Sequence, residues 1–443
     1  MDPIAAIIMM ASIYCGAQYG GRITSILLNI PGEASTVVTC FDGYQMARKG
    51  RAGAALGITA FASFIGGTIS VVGLMFLAPM LVKAALRFGP PEYFSLMVFG
   101  LTMIAYLGSG SLVKALLMGA AGLLVSTVGM DPVSGIIRFN FGVIGLGEGI
   151  GMIPVAMGLF GLAEVLENLE EETEVEMAKT SFLGLFPTIR DWMESRWAIV
   201  RGTIVGFALG MLPGGSTALP TFIIYGLEKR ISKRPDEFGT GVVEGVAAPS
   251  AACEAATGAA MVPLLTLGIP ANVAMAVLLG AFVLHGIQPG PLLMGKHPQL
   301  FWGVISSMYV SNVMLLIMNV PFISVWVQIL RVPYRLLCPL IILFCYIGAY
   351  ALNSTTNDVL IMVIFGGLGY LMRKYKYQGA PFLLSLILGP MLETSFRQAL
   401  IVGNPTIFFT KPISASLLGF AFLLLMIKPV TRLFAKREKI GQP

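Results

Sequence analysis

An apolar run broken by Ile-Pro occurs once in each half of this 443-residue chain. The first break reads Leu27-Leu28-Asn29-Ile30-Pro31-Gly32-Glu33-Ala34-Ser35, and the second reads Leu265-Thr266-Leu267-Gly268-Ile269-Pro270-Ala271-Asn272-Val273. Because proline lacks an amide hydrogen and clashes with the preceding turn, a helix stops there and a new one can begin. Two membrane helices broken at matching places, here 239 residues apart, are typical of a polar site at mid-membrane and favour a transporter.

Composition indicates that most of the chain faces lipid. Charged residues make up only 12% and hydrophobic residues 56%, whereas a soluble domain carries about 25% charge. Apolar stretches of about 20 residues recur and alternating patterns do not, so helices are expected rather than barrel strands. We predict an all-α polytopic membrane protein with about 10–12 transmembrane or half-spanning helices in two related halves, whose broken helices meet at mid-membrane.

The pattern of apolar and polar segments predicts four regions. Residues 1–166 form a first transmembrane repeat and 167–197 a polar connecting loop. Residues 198–296 form the core of a second repeat, and 297–443 form C-terminal transmembrane helices. The basic residues cluster between apolar runs, so the net charge of +6 reflects membrane orientation rather than nucleic-acid binding.

Each break offers groups that attract an anion. The first turn of a half-helix leaves free backbone N–H groups at the positive end of its dipole, and glycine lets a ligand approach the backbone. An isolated Ile-Pro is more often a plain kink, but a matched pair favours a binding role. We expect the following residues to bind substrate carboxylates: Asn29, Pro31, Gly32, Ser35, Thr36, Gly268, Pro270 and Asn272.

Ion coupling has two candidates, Thr266 and Glu254. Na⁺ near Asn29 and Thr266 would suit their oxygen atoms, while Glu254 suits a proton. An acid at membrane depth usually marks an ion or proton pathway; a structural ion pair or an interfacial position is the alternative for Glu254. Arg22 can pair with a carboxylate of substrate or protein, or extend to the interface, and Asp42 suits a helix end or turn.

Several motifs around the breaks are recognisable together. They are Tyr14-Cys15-Gly16-Ala17-Gln18-Tyr19-Gly20-Gly21, Ile26-Leu27-Leu28-Asn29-Ile30-Pro31-Gly32-Glu33-Ala34-Ser35, Asp42-Gly43-Tyr44, Leu212-Pro213-Gly214-Gly215, Glu244-Gly245-Val246-Ala247-Ala248-Pro249, Pro263-Leu264-Leu265-Thr266-Leu267-Gly268-Ile269-Pro270 and Gly286-Ile287-Gln288-Pro289-Gly290-Pro291. These motifs resemble the large membrane subunit of the tripartite tricarboxylate transporters, the TctA type, over nearly the whole chain.

The resemblance implies a permease subunit rather than an enzyme. Such subunits import citrate-like di- and tricarboxylates by Na⁺- or H⁺-coupled symport, with no other cofactor. The implied partners are a small four-helix membrane subunit and an extracytoplasmic solute-binding protein, and the implied location is the bacterial inner membrane. The structural motif positions carried by the resemblance are Gly20, Gly21, Asp42, Gly43, Gly214 and Gly215.

Two departures from the family pattern affect the expected function. Family members usually have a further N-terminal segment with a counterpart of Leu212-Pro213-Gly214, so the first repeat is expected to be N-terminally incomplete. The family's acid after Ala248-Pro249 is replaced by Ser250, and Glu254 stands about one helical turn later. The shifted acid predicts a different substrate or ion preference, and the missing N-terminal counterpart makes a non-transporting membrane scaffold from a truncated transporter the alternative function. An intramembrane enzyme is disfavoured because no second embedded aspartate accompanies Asp42.

Overall fold

The computed structural model describes residues 2–29, 32–107, 111–131, 134–147, 149–170, 187–212, 217–319 and 334–440. Three residues predicted for the site or its motifs, Pro31, Gly214 and Gly215, lie outside these ranges. The described chain is almost entirely helical, which confirms the predicted all-α fold. A two-stranded antiparallel sheet is the exception within the described ranges, and it pairs β1 (Gly129–Met130) with β2 (Ile137–Arg138) in the register Gly129 to Arg138.

The helices before residue 171 include both long spans and short turns. In chain order they are α1 (Pro3–Leu28), α2 (Val37–Thr39), α3 (Ala52–Ala85), α4 (Pro90–Leu107), α5 (Leu112–Ser126), α6 (Met152–Ala156) and α7 (Ala163–Glu170). A 3₁₀ turn (Ala34–Thr36) precedes α2, and π-helical turns (Cys40–Tyr44, Ala47–Arg51) follow it. A further 3₁₀ turn (Ile144–Leu146) follows the sheet, and a π-helical segment (Met157–Leu162) joins α6 to α7.

The helices after residue 187 continue the same pattern. They are α8 (Ile189–Gly210), α9 (Ala218–Ile231), α10 (Val243–Ala259), α11 (Met261–Leu267), α12 (Val273–Leu284), α13 (Leu293–Lys296), α14 (Pro298–Asn319), α15 (Tyr334–Asn353), α16 (Thr356–Lys374), α17 (Gly379–Val402), α18 (Ile407–Thr410) and α19 (Pro412–Ile440), with a 3₁₀ turn (Pro235–Glu237) before α10. Helix α8 begins inside the segment 167–197 that was predicted as a polar connecting loop.

Within the described ranges, five helical stretches are long and apolar enough to cross a membrane. They are Pro3–Leu27, Ala47–Lys83, Val243–Leu267, Pro298–Asn319 and Gly379–Val402. Shorter apolar helices of the kind expected for half-spans include α5 and α12. The protein is therefore a multi-pass membrane protein, as its composition predicts.

Two compact units divide the chain. Unit 1 comprises Met1–Leu86 and Glu171–Pro339, and unit 2 comprises Arg87–Glu170 and Leu340–Pro443. Each unit combines two separate stretches of the sequence, so the units differ from the consecutive repeats predicted from the apolar pattern. The repeat boundaries describe a symmetry of the sequence and stay a prediction.

The centre of unit 1 is α10, an alanine-rich helix that is buried along its length. Helix α8 packs against it through Gly202, Gly206 and Gly210, which are spaced four residues apart and share one helix face. A Cβ atom on Gly210 would lie 2.5 Å from the Cα atom of Ala256. Small residues at such an interface let membrane helices approach closely, and here they hold α10 in place for the site.

A buried carboxylate, that of Asp191, fixes the start of α8, a helix that is not one of the five membrane-spanning stretches. Asp191 and Thr188 cap each other reciprocally, and Arg51 donates to Asp191 Oδ1 over 2.6 Å. Burial acts to raise the pKa of Asp191, but the hydrogen bonds from Arg51 and Thr188 outweigh it and the pKa is lowered. The carboxylate therefore stays ionised and holds Arg51, the last residue before α3.

Candidate functional site

The first break ends α1 and starts a short helical segment. Asn29 adopts a left-handed conformation with φ of 57° directly after Leu28. The chain becomes helical again after Glu33, which is extended. The Glu33 amide donates to Thr36 Oγ1 over 3.2 Å, and the Glu33 side chain accepts from the Thr36 backbone. This reciprocal cap satisfies amide groups that a helix start leaves free.

The second break repeats this backbone geometry 239 residues later. Gly268 ends α11 with φ of 72°, in the position that corresponds to Asn29. Asn272 is extended like Glu33, and its Oδ1 atom accepts from the Met275 amide over 3.0 Å at the start of α12. In the described residues of both breaks, a left-handed residue is therefore followed four positions later by an extended capping residue.

The glycines of both breaks allow close approach of other backbone segments. A Cβ atom on Gly32 would lie 2.5 Å from the Cα atom of Gly21 in α1. A Cβ atom on Gly268 would lie 2.6 Å from the carbonyl oxygen of Pro289. Packing therefore requires glycine at both positions, and their predicted role in binding a ligand stays a prediction.

One face of α1 carries polar side chains toward α10 and α12. Tyr14, Gln18 and Arg22 are four residues apart and so share this face. The Tyr14 hydroxyl accepts from Asn272 Nδ2 over 2.9 Å, and Gln18 Oε1 accepts from Cys253 Sγ over 3.6 Å. The face thus joins the cap of the second break to the middle of α10.

The strongest electrostatic contact on this face is an ion pair between Arg22 and Glu254. Arg22 Nη2 and Glu254 Oε2 are 2.9 Å apart, and the two side chains are only 1% and 2% exposed. Arg22 Nη1 donates to Ser63 Oγ on α3, and the guanidinium carbon lies 5.5 Å from the centre of the Tyr19 ring. Arg22 therefore pairs inside the protein and does not extend to the interface.

Cys253 brings the first break into the same cluster. Its side chain interacts with both Arg22 and Ser35. Ser35 is buried, and its hydroxyl donates to Glu33 Oε2 over 3.3 Å. Ser35 and Asn272, from the two breaks, thus border one polar cluster that also contains Glu254.

Other predicted site residues have local roles. Thr266 Oγ1 donates to the Val262 carbonyl within α11 over 2.7 Å, and Thr36 serves the cap of the first break. Pro270 is buried, whereas Asn29 is exposed. The sodium position near Asn29 and Thr266 stays a prediction.

Asp42 connects the segment after the first break to the start of α10. Its Oδ1 atom accepts from three backbone amides, those of Gly239 (2.9 Å), Gly241 (2.7 Å) and Val242 (2.9 Å). Its Oδ2 atom accepts from the Tyr225 hydroxyl over 2.9 Å. Because Val242 caps α10, the carboxylate also lies at the positive end of that helix.

The neighbouring motif glycines differ in their packing. A Cβ atom on Gly43 would lie 2.8 Å from the Ile26 side chain in α1, whereas Gly20 has open space around it. Asp42 thus contacts the start of α10, and Gly43 packs against α1.

The sequence reading did not select Tyr14, Gln18, Ser63 or Cys253 as members of the site. The spacing of Tyr14, Gln18 and Arg22 on an otherwise apolar helix was a usable signal. Ser63 and Cys253 carried no comparable signal, because α3 and α10 hold many small residues of similar type.

Comparison with known proteins finds one matching family model and two similar proteins. A family model described as "Tripartite tricarboxylate transporter TctA family" matches residues 1–384. An Agrobacterium vitis protein described as "Uncharacterized 52.8 kDa protein in TAR-I ttuC' 3'region" is 46% identical over 441 residues, which cover 99% of this chain and 88% of the relative. A second, "Uncharacterized protein in TAR-II ttuC' 3'region", is 45% identical over 237 residues, which cover 53% of this chain and 98% of the relative. No solved structure matches this chain significantly.

Proposed function

This chain belongs to the tripartite tricarboxylate transporter TctA family, a family of transporters rather than enzymes, and from that premise we propose that it is the large permease subunit of such a system. It imports small di- and tricarboxylates, driven by a Na⁺ or H⁺ gradient. It works in the bacterial inner membrane with a small four-helix membrane subunit and an extracytoplasmic solute-binding protein.

The observation that carries this proposal is the convergence of both breaks on one polar face of α1. Asn272 contacts that face through Tyr14, and the first break contacts α1 where Gly32 packs on Gly21, the residue before Arg22. Helix starts bind carboxylates through free amides and the helix dipole. Arg22 adds a guanidinium, whose planar fork matches a carboxylate.

The proposal is tested by uptake into proteoliposomes. The chain is reconstituted with its small subunit and binding protein, and entry of radiolabelled citrate and succinate is measured. The informative variant is Asn272→Ser, because serine still caps α12 but cannot reach Tyr14. We expect its KM to rise about tenfold, which corresponds to about 1.4 kcal/mol of binding free energy.

Asn319→Ser is the matched control. Asn319 is a buried asparagine of unit 1, and its amide donates to the Leu315 carbonyl within α14. Its KM should match the wild type. An assembled complex that takes up neither acid would favour the non-transporting scaffold, and equal KM values for Asn272→Ser and wild type would overturn the assigned site.

A further inference from the structure

The Arg22–Glu254 pair holds two charges deep in unit 1 at a substantial desolvation cost. Glu254 presents one oxygen to Arg22 Nη2, while Arg22 Nη1 donates to the neutral Ser63 hydroxyl. A bidentate carboxylate would use the guanidinium fork more fully than this single-oxygen contact does. A second carboxylate can therefore compete with Glu254 for the Arg22 guanidinium.

We propose that a substrate carboxylate displaces Glu254 from Arg22, and that the released Glu254 takes up a proton that moves with the substrate. The inference rests on the proposed function and specifies its coupling ion. One proton enters the site with one carboxylate, so the charge of the site does not change. On the opposite side of the membrane the carboxylate leaves, Glu254 gives up its proton and pairs with Arg22 again.

Arg22 lies where a substrate held by the breaks would meet it. Cys253 interacts with Arg22 and also with Ser35 of the first break. The adjacent Gly21 packs directly on Gly32. The first break therefore lies against α1 at the residue next to Arg22.

The groups around Glu254 favour its protonation once Arg22 turns away. Helix α1 presents Cys15, Tyr19 and Arg22 to it, α10 presents Cys253, and the segment after the first break presents Glu33. Among the described residues around Glu254, Arg22 is the cation, whereas Glu33 adds a second negative charge. A carboxylate without its cation in such a place is far more stable when protonated.

The remaining helices around Glu254 contribute neutral residues. Gly67 of α3 and Asn312 of α14 lie against it, and Ser63 holds Arg22. Helix α8 faces the adjacent turns of α10 with Gly206 and Gly210. These neighbours supply no charge that would replace Arg22.

A small cavity beside Glu254 offers a place for a water molecule next to its carboxyl. It has a volume of about 10 Å³, enough for one water molecule, and it is lined by Tyr19, Ser63, Glu254 and Asn312 among others. The Tyr19 hydroxyl and the Asn312 Nδ2 atom are buried and have no hydrogen-bond partner among the described residues. A water held by these two groups would lie next to the carboxyl that is protonated.

The test separates proton coupling from substrate exchange. Proteoliposomes with the full complex and an internal pH dye receive radiolabelled citrate or succinate without Na⁺, under an inwardly directed proton gradient. The wild type should accumulate substrate and acidify the interior. Glu254→Gln should retain counterflow, which needs no net proton movement, but lose accumulation and carry one proton fewer per substrate.

Two further variants make the result decisive. Glu254→Gln leaves Arg22 unpaired and can destabilise the fold, so the double variant Arg22→Gln with Glu254→Gln removes both charges. It should also lose proton-driven accumulation, with a raised KM in counterflow. The control replaces Arg201 and Glu228, a charged pair of unit 1 joining α8 to α9, with glutamine, and it should keep wild-type coupling.

The outcomes distinguish this inference from the proposed function. Uptake by the wild type under a sodium gradient but not a proton gradient would overturn proton coupling and leave the transporter assignment intact. Proton-driven accumulation by Glu254→Gln would do the same. Absence of carboxylate uptake by the wild type under either gradient would overturn both.

Discussion

At the scale of single residues, Asp42 stands out near the site because its carboxylate accepts four hydrogen bonds. It gathers three backbone amides and the Tyr225 hydroxyl around one buried carboxylate. The three amides lie immediately before α10, so their bonds to Asp42 hold the start of the helix that carries Glu254. Gly245 belongs to the same arrangement, since a Cβ atom there would collide with the carboxylate.

Replacing Asp42 with alanine should therefore destabilise the protein strongly. Of the three amides, that of Val242 is buried, whereas those of Gly239 and Gly241 are only partly buried and water can replace the carboxylate there. A buried amide left without a partner costs about 1–3 kcal/mol, so we expect a total loss of about 2–3 kcal/mol. Tyr225→Phe removes only the hydroxyl and should cost about 1 kcal/mol. Unfolding in detergent, followed by tryptophan fluorescence, measures both; equal losses would contradict the central role of the amide contacts.

At the scale of elements, the interface between α8 and α10 depends on glycine. Gly206 lies in the middle of the three glycines, and a Cβ atom there would collide with the backbone of Ala252. Neither backbone can yield without separating the helices. This contact positions α10 through the shape of the two helices rather than through charge.

Gly206→Ala should consequently lower the melting temperature and weaken carboxylate uptake, with a stability loss on the order of 1–3 kcal/mol from overpacking. Gly226→Ala is the matched control, because Gly226 lies in α9 and has open space around it. Alanine there should be neutral or stabilising by up to about 1 kcal/mol. Melting curves of the two purified variants decide the point, and a Gly206→Ala protein as stable as wild type would refute it.

The elements also show what sequence could and could not predict. The ends of α1 and α11 were predictable because Asn29 and Gly268 suit the left-handed conformation and proline follows two residues later. The Arg22–Glu254 pair joins residues 232 positions apart. Sequence left open whether Arg22 meets a carboxylate or the interface, since no local pattern encodes such a contact.

At the scale of the whole molecule, the candidate site belongs to one unit, and the other unit has ion pairs of its own. Unit 1 contains both breaks and the polar cluster. In unit 2, Arg138 forms a bidentate pair with Glu393 at 2.9 and 3.0 Å, and Arg397 pairs with Asp131 at 3.0 Å. These ion pairs tie the β1–β2 hairpin to α17, which is a structural role.

This division predicts that ligand response and basal stability can be altered separately. A ligand stabilises the state that binds it, by about 2.7 kcal/mol when present at a hundred times its Kd. Arg138→Gln breaks a partly exposed ion pair and should reduce the free energy of unfolding by about 1 kcal/mol. The melting temperature of the assembled complex should fall modestly as a result. The citrate concentration that raises this melting temperature should be unchanged in Arg138→Gln and shifted upward in Asn272→Ser. If both variants shift it equally, binding is not confined to the groups of unit 1. If only Asn272→Ser shifts it, the recognition of the carboxylate resides in the unit that carries the two breaks.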